Sequence, residues 1–267
     1  MAQNDINQDL RARFNPDGSK LRTLQLKLLG MLEFIDKICR DNNIPYWLSS
    51  GTLIGAVRHG GFIPWDDDVD IEMLPEDFKR FQKAFDSTPH SDYLIQTSRN
   101  DPGFPHAFAK LRDKNSCIHE WDGLDSLQKY KGVYIDIFIL RPSCSRLLHR
   151  LSCKLLGTSQ RYYVKHHDSA PGKLVRFFAQ KVAIRLLRIV NEAFPAKYLR
   201  HTIPSFFPAP RRREDIFPLS EVSFEGKKFY APGNTDAYLR RIYGDYMQLP
   251  PLDKIQPHTT DYTLTLP

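Results

Sequence analysis

The sequence predicts an α+β fold whose second half carries a basic helical lobe. Three observations lead there. Short alternating strands and amphipathic helices follow one another without a regular βαβ period, which favours a mixed α/β or α+β arrangement. A hydrophobic content of 41% and an aromatic content of 12% over 267 residues suit a packed core. The charge is divided. From Arg141 to Arg213 sixteen Lys/Arg stand against two acids, a surplus of fourteen, so the net +7 leaves the remainder of the chain at −7. This division and the order of elements predict a core over 1–140, a basic helical insertion or lobe over 141–213, and a C-terminal hairpin and helix over 214–267 that complete the first unit.

The elements follow in order. Leu21, Leu24, Leu28, Leu32, Ile35 and Cys39 recur every three or four residues and predict a helix of about 20 residues after the "PDGS" turn. "YWLSSGTLIGAV" reads as a short apolar segment entering a glycine turn and a short helix. "VDIEM" reads as a strand ending before Pro75, and Glu76 to Phe85 as a helix with Phe78, Phe81 and Phe85 on one face. "DYLIQTS", "HAFAKLRD" and "SCIHEWD" read as strands between polar turns. "GVYIDIFIL" alternates most clearly. After Pro142, Val175, Phe178, Val182, Leu186 and Ile189 share one helical face, while Lys181, Arg185 and Arg188 share another. "SFFPAPRRREDIFP" reads as a loop, "VSFEGKKFYAP" as a hairpin about Glu225-Gly226, and "TDAYLRRIYGDYMQLPP" as a helix running to a proline stop.

Two groups of residues carry chemistry. Asp66, Asp67, Asp68 and Asp70 crowd five positions between apolar flanks. Buried like charges are costly unless something offsets them. Residues two apart on a strand share a face, so Asp68 and Asp70, with Asp66 optional, point one way and Asp67 the other. Hard oxygen ligands favour Mg²⁺ or Mn²⁺. Asp136, an acid inside "YIDIF", supplies a third carboxylate, the arrangement suited to metal-assisted phosphoryl or nucleotidyl transfer. A calcium loop is rejected, since its sixth and twelfth positions fall on Ile71 and Asp77. Upstream, Ser50, Gly51 and Thr52 allow close backbone approach to a phosphate with hydroxyls as extra donors, and Arg58 follows on the same short helix. Lys110 and Arg112 alternate on one strand face and suit a donor diphosphate.

"GTLIGAVRHGGFIPWDDDVDIEM", "KLRDKNS", "KGVYIDIF" and "YGDYMQLPP" occur in that order. Together they closely resemble the blocks of the LicD family, part of the nucleotidyltransferase-fold superfamily, with fukutin and fukutin-related protein as distant animal relatives. The resemblance implies a nucleotidyltransferase-like mixed sheet with its active site at the sheet edge. It implies transfer of phosphocholine, or a related phospho-group, from a CDP-linked donor such as CDP-choline to a saccharide hydroxyl of a cell-surface glycan. By the same resemblance Asp68 and Asp70 bind the metal, Asp136 is the third carboxylate, and Gly51 with Ser50 or Thr52 forms the phosphate element. Two other readings of the residues stand beside it: a GT-A-type glycosyltransferase using "DVD" on a nucleotide sugar, and a non-catalytic binder of anionic polymers. Tyr46, Trp47, Phe62, Trp65, Trp121, Tyr130 and Tyr134 lie near the motifs and offer rings for a quaternary-ammonium cage.

The partners expected are the donor, a glycan or lipid-linked saccharide acceptor, and no nucleic acid. No apolar run reaches the roughly 18–20 residues of a membrane span, the first twenty residues hold no apolar signal core, and the four cysteines form no tight pairs. A cytoplasmic protein is expected, in peripheral contact with the inner face of the membrane. The basic segment itself admits three readings: a membrane-surface helix, a groove for an anionic polymer, or a solvated helix whose apolar face packs on the domain.

Overall fold

The computed structural model describes residues 3–89, 92–104, 106–120, 128–166, 169–251 and 259–263. The chain runs α1 (Gln3–Phe14), α2 (Lys20–Asp41), β1 (Trp47–Leu48), α3 (Ser50–His59), β2 (Asp70–Met73), α4 (Pro75–Ser87), β3 (Tyr93–Gln96), β4 (Ala109–Asp113), β5 (Cys117–Glu120) and β6 (Tyr134–Pro142). The lobe follows: α5 (Arg146–Lys165), α6 (Ala170–Phe177), a π-helical turn (Phe178–Ala183) and α7 (Ile184–Ala193). Then come β7 (Leu199–His201), α8 (Arg213–Ile216), β8 (Ser220–Phe224), β9 (Lys227–Ala231), α9 (Thr235–Tyr243) and β10 (Thr259–Thr263).

The main sheet has the order β1-β2-β6-β4-β3, with β7 added along the far part of β6. β2 and β6 are parallel, and the other pairings in this sheet are antiparallel, so the sheet is mixed. Alternation along the strands divides its two faces. Ile71, Ile135, Ile137 and Leu111 turn to one side and are fully buried with Leu24, Leu28, Leu32 and Ile35 of α2 and Phe81 of α4. The other face carries Asp70, Glu72, Asp136, Lys110 and Arg112, with Trp47, Tyr134 and Phe138 in register beside them. Its Glu72 end is buried beneath the C-terminal part of the chain, and its Asp70 and Asp136 end is the one that carries the candidate chemistry.

Each predicted element is present, with shifted limits where local rules compete. Ser19 caps α2 by accepting the Arg22 N–H at 3.1 Å. The hairpin β8–β9 turns on Glu225 (φ 51°) and Gly226 (φ 77°), the paired left-handed residues of a type I′ turn. Its tip reaches the loop after α3. Glu225 N–H donates to Gly60 O, and its carboxylate accepts from Arg22 and from the Phe62 N–H. α9 stops at Gly244 (φ 72°), not at the later prolines. The acids 66–68 precede the strand, which starts only at Asp70. Helices α1 and α5 and strands β7 and β10 are not expected from the sequence, nor is α8, a single turn inside the stretch read as a loop. β10 pairs with β5, outside the main sheet.

The lobe has its own small apolar cluster, Leu156, Ile184 and Ile203, separate from the main core. Two histidines at its junction with the sheet, His149 and His201, are buried, and burial pushes each down to about 4, helped by nearby arginines. The unfolded chain, with histidines near 6.5, binds more protons between roughly pH 6.5 and 4, so stability rises with pH across that window. Lowering pH from 7 to 4 is expected to cost on the order of 3 kcal/mol for each histidine. Urea-unfolding midpoints of the wild type and of the His149→Gln, His201→Gln pair, measured across this range, check it: the buried Asp66 and Asp70 carboxyls, raised in the folded state, act in the opposite direction, so a slope unchanged by the histidine substitutions would contradict it.

Candidate active site

The parallel register sets Asp70 of β2 beside Asp136 of β6, and the antiparallel register sets Lys110 of β4 on the other side of Asp136. Paired residues project to the same face, so two carboxylates and one ammonium stand in a row across three strands. Lys110 Nζ lies 3.2 Å from Asp136 Oδ1 and 3.1 Å from the centre of the Tyr134 ring. Asp68 lies close enough to Asp70 to act on it strongly. Burial first, then Asp68 and Asp136, push the Asp70 carboxyl well above the usual range, against smaller pulls from Ser50 and Lys110. Burial and the neighbouring Asp68, Asp70 and Asp67 raise Asp66 in the same way.

Asp66, Asp67 and Asp68 each offer one carboxylate oxygen, and the three oxygens lie within 4.8 Å of one another. Asp67 therefore turns into the cluster, contrary to the alternation argument. The reason is local: residues 66–69 are not in a strand, and the period of two does not apply to them. The donor set is all oxygen and its repulsion is large, so a hard divalent cation suits it.

The turn into α3 faces these acids. Ser50 is left-handed (φ 49°), an unfavourable conformation for a residue with a Cβ. It hydrogen-bonds the Asp70 carboxylate and the Tyr243 hydroxyl, and its Oγ lies 3.2 Å from that of Ser49. Thr52 Oγ1 accepts the Asp70 N–H at 2.8 Å, and Ser49 N–H donates to Asp70 O at 3.1 Å, so the helix start and the first strand residue are tied together. A Cβ on Gly51 would stand 2.6 Å from Asp66 Oδ2. Gly51 thus admits the Asp66 carboxylate against the start of α3. Gly51→Ala is expected to displace Asp66 and cut activity about a hundredfold, the usual effect of moving a site by about 1 Å, with an unchanged circular dichroism spectrum. Activity within twofold of wild type would refute the close-approach argument.

Other predicted residues are placed differently. Arg112 is buried: Nε donates to Gln96, Nη1 to Gly132 O and Nη2 to Gln128, and the guanidinium lies over Tyr134. Arg58 is buried near Asp66, where Nη1 holds Tyr246 O at 2.8 Å and Nε meets His59. Both guanidiniums fix loops around the acid row. Among the candidate cage aromatics, Tyr46 bonds Asp36, Trp47 bonds Glu72 and Phe62 packs on Phe224, all in the core. Trp65 packs on Phe14, Tyr134 lies at the acid row, and Trp121 lies outside the described residues.

Two features escaped the sequence reading. Tyr243 brings its hydroxyl to Ser50 and Asp70 while its ring stacks on Phe207. Glu72, two residues past Asp70, is fully buried. Its Oε1 accepts from Arg211 Nη2 at 2.6 Å and lies 2.8 Å from His201 Nε2; its Oε2 accepts from Trp47 Nε1 and the Tyr238 hydroxyl. Despite burial, these partners hold it down at about 2. The four partners come from β1, β7, the following loop and α9, so one carboxylate joins the C-terminal third of the chain to the strand that carries Asp70.

A short mixed sheet with facing carboxylates on adjacent parallel strands, and a serine-glycine helix start set against them, is the layout of a nucleotidyltransferase-type domain. Comparison with known families agrees: residues 43–184 match the family model described as LicD/FKTN/FKRP, nucleotidyltransferase domain. The chain belongs to the LicD family. It is 28% identical over 262 residues to the lipopolysaccharide cholinephosphotransferase LicD of Haemophilus influenzae, covering 89% of this chain and 95% of that protein. It is 27% identical over 117 residues to the ribitol-5-phosphate transferase FKTN of Mus musculus, covering 44% of this chain and 21% of that one. A match to the ribitol 5-phosphate transferase FKRP of Homo sapiens is 56% identical over 34 residues, 13% of this chain and 7% of that protein.

Proposed function

We propose that this chain transfers phosphocholine, or a closely related phospho-group, from a CDP-linked donor to a saccharide hydroxyl of a cell-surface glycan. The observation that carries the reading is the row Asp70–Asp136–Lys110 across three adjacent strands, with Asp68 beside it. The near full-length similarity to a cholinephosphotransferase supports the choice of group.

In this reaction the acceptor oxygen forms a bond to the phosphorus that bears choline. The bond from that phosphorus to the bridging oxygen breaks, and CMP leaves with the electron pair. Asp136 takes the acceptor proton, and Lys110 holds its carboxylate in place. The start of α3, with Ser50 and Gly51, receives the donor phosphates. Asp68 and Asp70, with the Asp66 and Asp67 carboxylates gathered beside them, are the residues that would hold Mg²⁺ or Mn²⁺, which would supply positive charge at the diphosphate. Arg112 and Arg58 act at one remove, by fixing the loops on which donor and acceptor rest.

The test is an assay of the purified protein with CDP-choline, a saccharide acceptor and Mg²⁺, with CDP-ribitol, CDP-glycerol and UDP-glucose as parallel donors. Equal amounts of CMP and phosphocholine-bearing saccharide, abolished by EDTA, are expected. Release of UDP from UDP-glucose with glycosylation of the acceptor would favour the glycosyltransferase reading. No turnover with any donor would overturn the proposal.

A further inference from the structure

The amphipathic face predicted in the lobe is real, and it points outward. Val175, Phe178, Val182, Leu186 and Ile189 are between 38 and 57% exposed, while the opposite side of the same helices buries Ala179, Ile184 and Asn191. The reading in which this apolar face packs on the domain is thereby corrected: α6, the π turn and α7 pack on α5 through their other side. A contiguous exposed apolar surface of this kind marks an interaction site.

Charge selects the occupant. Lys173, Lys181 and Arg185 are exposed on the same helices, and their long stems allow the ammonium and guanidinium groups to reach up from an apolar plane. The segment 141–213 carries sixteen basic residues against two acids. One of the two acids, Glu192, is paired with Arg141 at 3.2 Å. A second copy of this chain would set one strongly basic surface against another. An anionic bilayer offers both an apolar layer and opposite charge. No helix among the described residues is long and apolar enough to cross a membrane, so the helices would lie on the surface.

We propose that the outward face of α6, the π turn and α7 docks on anionic membrane surface, its aliphatic and aromatic row entering the headgroup boundary and its basic residues meeting lipid phosphates. The lobe connects to the acid row through Phe207, which stacks on Tyr243. Docking would therefore hold the site at a set height above the bilayer.

The experiment is co-flotation of the full chain with vesicles of phosphatidylcholine alone and of phosphatidylcholine mixed with phosphatidylglycerol, at low and high salt. Binding to the mixed vesicles is expected, with little to neutral ones and a loss of at least tenfold at high salt. Phe178→Asp with Leu186→Asp should abolish flotation. Lys181→Gln and Arg185→Gln should each weaken it about fivefold. These positions are exposed and far from the acid row in sequence, so unfolding midpoints should stay unchanged, which separates lost docking from lost fold. Absence of wild-type flotation at low salt overturns the proposal, as does flotation indifferent to the aspartate pair. A concentration-dependent dimer that the aspartate pair dissolves would assign the face to a second copy instead. Because binding is read without turnover, the outcome is independent of the donor assignment.

Discussion

Asp70→Asn is expected to lower transfer at least about a hundredfold and yet make the metal-free protein harder to unfold. The loss follows from position. Asp70 stands in register with Asp136, is tied by its main chain to Ser49 and Thr52, and lies against Asp68. Removing its charge takes away a cation ligand and unbalances the row where charge develops, and single electrostatic groups of this kind are worth about 10²–10³ in rate. The gain in stability has the same origin. Burial, Asp68 and Asp136 raise the Asp70 carboxyl, which means the folded state disfavours its charged form near neutral pH. An amide of the same shape carries no such penalty. Thermal unfolding in EDTA, read beside the CDP-choline assay, separates the two effects. A variant that loses activity and stability together would show that the acids are structural, and full activity in both Asp68→Asn and Asp70→Asn would remove the cation assignment.

Glu72→Ala should be the most damaging single change to the fold. It strips the acceptor from Arg211, His201, Trp47 and Tyr238 at once, and leaves the fully buried Arg211 guanidinium with no countercharge on that strand. Breaking one side of a buried ion pair costs about 3–5 kcal/mol, against a total stability of about 5–15 kcal/mol for a typical domain. The variant is expected to be largely unfolded at 37 °C. Glu72→Met with Arg211→Met removes both charges and should recover much of the loss, a comparison made by urea-unfolding midpoints. Wild-type midpoints in Glu72→Ala would refute the central role given to this carboxylate. Its folded value of about 2 lies below the ordinary 4.5, so this stabilisation is complete above about pH 4.5 and is lost only as pH falls towards 2.

The acid row was legible because strand alternation and register are local rules. Asp70 and Asp136 each sit in short alternating runs, and pairing the runs brings them together. Asp67 escapes the alternation rule because the strand starts at Asp70, four residues after the run of acids begins. Lys110 and Arg112 do share a face as expected. Their partners differ because Gln96, Gln128 and the Gly132 carbonyl reach only one of them, and no spacing in the sequence marks those contacts. Glu72 is the extreme case: its partners His201, Arg211 and Tyr238 are 129, 139 and 166 residues away. In the lobe, periodicity revealed an apolar stripe, but whether it faces in or out depends on the fit to α5, which periodicity does not encode.

The order of these long contacts matters during synthesis. A ribosome has made all the acids of the cluster by residue 70 and Asp136 near the midpoint, but the groups that seat them come late: His201, Arg211, the Glu225 hairpin tip, Tyr238 and Tyr243. A nascent chain therefore carries every carboxylate of the cluster before most of the groups that complete their surroundings exist, and Glu72 of β2 has only Trp47 of its four partners until the C-terminal elements emerge.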